Sequence, residues 1–321
     1  MIARQKQVVL FEGLIEKHGD KNKFVATLCE ILSISRDGVY RRLRGETPLT
    51  IDDLELLSRE FYFSVDEMLQ ENSPALLTRY ESFQQFEWEN FLSQVKYNFQ
   101  HQLDQGPFTI YYNAKEIPIF YLFQFPELMA FKCYFWDYTF FADKKLPPFN
   151  PNSLQISEKQ LSAELQEIYG RIPSNELWGK EIFSATLKQI VYFYEIEELD
   201  RNQSKLLMEK MMELLEFLND IATEGIKTWT KEPAEINIYF NELLIGDNTL
   251  VAENENGLRA YLSQNIISSV IVDDPAYCQQ TLKTFKTIAK KSTLISNTSE
   301  KNRKKFFKQL RNEIQEYWEM L

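Results

Sequence analysis

One short segment gathers side chains whose types and spacing could do recognition chemistry: Ser35, Arg36, Asp37, Tyr40, Arg41 and Arg44. If the segment is a helix, 100° per residue puts Asp37, Tyr40, Arg41 and Arg44 opposite Val39 and Leu43, with Arg36 in the exposed first turn. Residues 36–44 hold four Arg against one Asp, a net of +3. A guanidinium is a planar fork of donors that matches the O6 and N7 edge of guanine, or two oxygens of a phosphate. Tyr40 suits a thymine methyl or a phosphate. The chemistry on offer is the reading of double-stranded DNA.

Such side chains work only if their helix is held rigidly, and the preceding residues provide for that. Cys29 is the small residue needed where two helices cross closely, Ser33 takes the turn, Ile34 plugs it, Ser35 caps the second helix and Val39 anchors it. That is the spacing of a helix-turn-helix. Around it, Val8, Phe11, Leu14 and Ile15 form one helical stripe, and Phe24, Val25, Leu28, Ile31 and Leu32 form another. Thr50–Asp53 is a capping sequence ahead of Leu54, Leu57 and Phe61, and Ser64–Glu67 is one ahead of Met68 and Leu69.

With Gly45-Glu46-Thr47-Pro48 between them, these elements resemble the DNA-binding domain of the Cro/C1 (XRE-like) repressor family, over about the first 70 residues and no further. The resemblance implies a five-helix bundle and a homodimer on a pseudo-palindromic operator. It also implies base reading by Arg36, Asp37 and Arg41, and a phosphate contact from Arg44. Two positions depart from the pattern. Ser33 replaces the usual turn glycine, and Arg42 stands where an apolar residue is common. Residues 1–70 carry 10 Lys and Arg against 12 Asp and Glu, so binding would lean on dimerisation rather than on bulk charge.

Composition narrows the other classes. The 321 residues suit two or three domains, and 44% apolar with 14% aromatic residues is ample core material. Only 10 glycines are present, and no phosphate-cradling Gly-rich string. Three scattered cysteines and two histidines offer neither a disulfide framework nor a metal centre, so no cofactor and no metal is expected. Cys278 is the one cysteine considered for redox sensing. A signal-peptide pattern and any long apolar run are missing, which reads as a cytoplasmic protein with no membrane partner.

The expected organisation is a helix-turn-helix domain over 1–72 and an effector or dimerisation region over 73–321, with a possible subdivision near 229–235. The expected fold class is mainly α: the five-helix bundle, then a mostly helical region with an α+β C-terminal part. In detail, the pattern predicts a long helix over 75–104, a short strand over 108–112 and buried helices in the aromatic stretch 117–141. Three further helices run to about 228. Gly246-Asp247-Asn248 signals a hairpin between 236–245 and 249–252. The run 266–272 reads as another strand, and 275–291 and 299–320 read as helices with a possible strand over 292–296. The stretches 117–141 and 236–296 are where any cavity for a small-molecule effector is expected, although the first reads first as plain core and a ligand cavity is its alternative. Residues 283–311 hold 10 Lys and Arg against one Glu, in a chain of net charge −11. They suit a backbone contact, an anion site or a solvated helix face. Two readings compete with DNA binding: a protein-interaction module using the helical bundle, or an enzyme with its site in residues 108–275.

Overall fold

The computed structural model describes residues 2–61, 78–81, 87–140, 146–242, 246–264 and 268–321. The chain divides into two units, Met1–Leu77 and Thr78–Leu321.

In the first unit, short helices follow the capping signals. They are α1 (Ile2–His18), α2 (Lys21–Ile31), α3 (Arg36–Leu43) and α4 (Ile51–Phe61). Asp20 caps α2 by accepting from the backbone N–H of Asn22 (2.9 Å) and Lys23 (3.2 Å). Thr50 and Asp53 cap α4 reciprocally, at 2.9 and 3.0 Å. The apolar stripes meet in one core of Phe11, Phe24, Val25, Leu28, Val39 and Leu57. The expectation of a five-helix bundle is not met: four helices stand here among the described residues, and the segment 64–69 lies outside them.

The second unit overturns the mainly α expectation. Its centre is a mixed eight-stranded sheet in the order β1-β7-β6-β5-β2-β3-β4-β8, and its strands are drawn from residues 78 to 294. Three parallel strands, β2 (Phe108–Ala114), β3 (Ser174–Gly179) and β4 (Ile236–Asn241), form the middle. On the β2 side follow β5 (Thr249–Asn254), β6 (Gly257–Gln264), β7 (Ser268–Val272) and β1 (Thr78–Glu81), all antiparallel. On the β4 side lies the two-residue β8 (Thr293–Leu294).

Two expected elements are corrected by this topology. The stretch 75–104 is not one helix: aromatic residues recur through it at helical spacing, but 78–81 pair with β7, and α5 begins only at Trp88 and runs to Asp104. Nor do β4 and β5 form a hairpin, because β5 pairs with β2 and β6 instead. The tight hairpin joins β5 to β6. There the Asn254 side chain accepts from the backbone of Asn256 (2.8 Å) and Gly257 (3.0 Å), and Gly257 takes a φ of +147°. Asn-Gly is the better turn signal of the two.

Helices cover both faces. On one lie α6 (Ile119–Leu122), α7 (Pro126–Phe140), α8 (Ile156–Gly170), α9 (Ser184–Glu195), α10 (Arg201–Glu224) and α12 (Glu300–Trp318), together with α5, over the large core. On the other lies α11 (Pro275–Ala289), whose Cys278 and Leu282 pack on Val251, Ala260 and Val272. Cys278 is fully buried, its thiol donates to the Val272 carbonyl, and burial raises its pKa, the opposite of a reactive thiolate.

The run 283–311 is therefore split. On α11, Phe285 meets Tyr111, while on α12, Phe306 meets Phe240, which shares a sheet face with Trp178 and Ala114. The two basic helices lie on opposite sides of the sheet. Arg303 is buried and donates to the carbonyls of Ile295 and Thr298, and Lys304 pairs with Glu300 at 2.5 Å.

Candidate nucleic-acid interface

The crossing of α2 and α3 is built as its residue types require. Ile34 N–H donates to the Cys29 carbonyl across the turn at 3.2 Å, and Ile34 packs on the core. Ser33 holds a φ of +51°, the left-handed conformation that favours glycine. A side chain there costs about 1 kcal/mol. Ser33→Gly is thus expected to stabilise the first unit by about 1 kcal/mol, read as a rise in its thermal midpoint. A midpoint equal to or below that of the wild type would show that the serine carries no strain.

Ser35 caps α3, its Oγ accepting from Gly38 N–H at 3.3 Å, and Val39 is completely buried. The cap and anchor orient the remaining side chains outward. Arg36, Asp37, Arg41 and Arg44 are exposed, and Tyr40 is half-buried against the core edge. Arg36 reaches Asn22 Oδ1 at 3.5 Å. Arg44 makes a two-pronged contact with Glu46, at 2.6 and 3.0 Å, and Arg41 approaches the same carboxylate at 3.9 Å. Exposed pairs of this kind are worth about 0–1 kcal/mol, so phosphate can replace Glu46 at little cost.

Two supports were not legible in advance. Gln7, 35 to 42 residues away, is buried, and its amide donates to the carbonyls of Arg42 (2.7 Å) and Thr47 (2.9 Å) while accepting from Leu49 N–H (2.9 Å). It holds the loop after α3 against α1. Arg42, the departure from the apolar pattern, points away from the exposed set and reaches Asp53 of α4 at 3.5 Å. Polar residues doing core work carry no periodic signature, although the acid two places after Arg44 is visible in the sequence.

The second unit holds a different polar centre. Glu176, on β3, is fully buried, and its carboxylate accepts from Tyr121 (2.7 Å), Tyr169 (2.5 Å), Ser174 (2.9 Å) and Trp178 (2.9 Å). The three hydroxyls converge on Oε1 and the Trp178 indole N–H on Oε2, so both oxygens are matched by donors. Beside it Lys227, also fully buried, donates to the carbonyls of Tyr169 (2.9 Å) and Ile172 (2.7 Å) and sits 3.6 Å from the Tyr169 ring centre. Burial pulls the Lys227 pKa down to about 7, against a pull upward from Glu176.

That shift has a sign. Between about pH 7 and about pH 10.5 the unfolded chain binds the Lys227 proton and the folded chain does not, so stability rises with pH; below about pH 7 the full penalty of the buried ammonium remains. Relative to Lys227→Met, the wild type should gain about 1.4 kcal/mol per pH unit across that window. Denaturant titrations of both proteins at several pH values measure the difference. A gap independent of pH would show that Lys227 titrates normally.

Neither Glu176 nor Lys227 was singled out by sequence, since a Glu and a Lys at these positions read as surface residues. Among the described residues no group of His, Cys, Asp and Glu could hold a metal, and no helix is long and apolar enough to cross a membrane. No protein-family model, curated protein or solved structure matches the chain.

Proposed function

We propose that the protein is a sequence-specific DNA-binding transcriptional regulator. Two copies place α3 in successive major grooves of a pseudo-palindromic operator, and the second unit serves as the dimerisation and sensing region. The observation that carries this reading is α3 itself, a helix capped by Ser35, anchored by Val39, and exposing Arg36, Asp37, Arg41 and Arg44 together. Arg36 and Arg41 read base edges, Arg44 exchanges Glu46 for phosphate, and Ser35 and Tyr40 flank the contact.

Binding to a genomic fragment library, followed by sequencing, tests this directly. Enriched fragments should share a pseudo-palindrome with half-site centres about 34 Å apart, one helical turn. A folded protein that enriches no sequence overturns the reading. The contacts of Glu46 with Arg41 and Arg44 favour one competitor, a bundle that binds protein, and that outcome would bring it forward.

A further inference from the structure

A cavity of about 170 Å³ lies in the second unit between α5, α6, α7 and the sheet face that carries Tyr112. Its walls come from both stretches in which the sequence suggests an effector cavity: Ile117 and Phe120 from one, Leu250 and Tyr261 from the other. It is slightly larger than an engineered apolar cavity of about 150 Å³ that admits benzene. One aromatic ring and a few further atoms fill it.

The lining is polarised along the strands. At one end Phe99, Phe108 and Phe120 surround the space, with ring centres of Phe99 lying 6.3 and 5.3 Å from those of the other two. At the other end are Asn248, Glu116 and Lys132. Asn248 belongs to that end because its Oδ1 accepts from Lys115 N–H at 2.8 Å, just beyond the C-terminus of β2. Lys132 is 3% exposed and donates to Glu116 (3.2 Å) and Gln189 (3.0 Å), so its positive charge is matched within the wall.

The decisive group is Tyr112, midway along β2. It lines the cavity, and among the described residues its hydroxyl has no hydrogen-bond partner. Burial, with Glu116 and Glu176 nearby, raises its pKa and keeps the phenol protonated as a donor. The Asn248 amide N–H likewise has no described partner. Tyr112 is half-buried and lines this space, so a ligand oxygen placed beside its hydroxyl gains a hydrogen bond that the described residues do not supply. With Lys132 already matched by Glu116, the ligand must be uncharged, since a carboxylate would meet Glu116.

We propose that this cavity binds a small uncharged molecule made of one aromatic ring bearing a carbonyl oxygen, the ring among Phe99, Phe108 and Phe120 and the oxygen accepting from Tyr112. The site is separate from α3, and its test involves no DNA, so either assignment can fail alone.

Calorimetric titration of the full chain with three probes decides it: acetophenone, ethylbenzene, which keeps the shape without the oxygen, and benzoate, which adds a charge. Acetophenone should bind roughly tenfold tighter than ethylbenzene, the worth of one hydrogen bond, and benzoate should bind more weakly than acetophenone. In Tyr112→Phe, which removes only an unmatched hydroxyl and keeps the fold, the ketone preference should shrink to about twofold or less while ethylbenzene binds as before. The assignment is overturned if neither neutral probe binds the folded protein, if ketone and hydrocarbon bind equally, if benzoate binds tightest, or if the preference survives Tyr112→Phe.

Discussion

Glu176→Ala is expected to destabilise the second unit by about 3–5 kcal/mol, the range for removing one partner from a buried charged network. The variant leaves the hydroxyls of Tyr121, Tyr169 and Ser174 and the indole N–H of Trp178 without their acceptor, in a place water does not reach. It also removes a negative charge beside the buried Lys227. Glu176→Gln keeps the shape but replaces one acceptor by a donor that faces other donors, so it should also lose stability, by a smaller amount. Urea unfolding should show a lower midpoint with an unchanged slope. An Ala variant within about 1 kcal/mol of the wild type would mean that the network contributes nothing net.

The second large effect concerns α3. Arg36→Ala and Arg41→Ala should each weaken operator binding by about 1–3 kcal/mol, roughly 5- to 150-fold, and relax the preference at particular base pairs. Arg44→Ala should weaken all sequences alike and lower the salt slope by about one unit, as loss of a phosphate contact does. Changing Lys304 and Lys305 of α12 to Glu should leave affinity and salt dependence untouched, because Lys304 is already paired on its own helix. Fluorescence anisotropy at several salt concentrations separates the three classes. If folded Arg36 and Arg41 variants hold the operator as tightly as the wild type, α3 is not the reading helix.

How far the sequence could be read tracks how local each determinant is. The caps at Asp20, Ser35 and Thr50 and the anchor Val39 act within a few residues, and they stand where their types indicate. The segments of β2 and β7 are dense in β-formers and were visible. By contrast, β3 reads Ser-Asn-Glu-Leu-Trp-Gly, with a Glu at its buried centre, so no apolar alternation announces it. Two of the donors that satisfy that Glu, Tyr121 and Tyr169, lie 55 and 7 residues away. The sheet's dominance was missed for the same reason: β1 is defined by β7, not by its own residues. The cavity was legible as an address only. Tyr112 gains its meaning from Glu116, Asn248 and the phenylalanines that folding brings around it.

The position of β5 bears on how the second unit comes into being. β2 and β3 leave the ribosome long before the strand that covers the other side of β2, and Thr78–Glu81 wait for partners at 269–272. Closing a loop of that length before any pairing energy is returned makes the sheet slow to assemble. Until residue 254 has emerged the edge of β2 stands open, and until residue 272 has emerged so does β1, each a template for pairing with another chain. A protein shortened near residues 229–235 would keep β2 and β3 but lose β4, β5, β6, β7 and β8. Its natural fate is aggregation, so shortened forms should be cut between the two units instead.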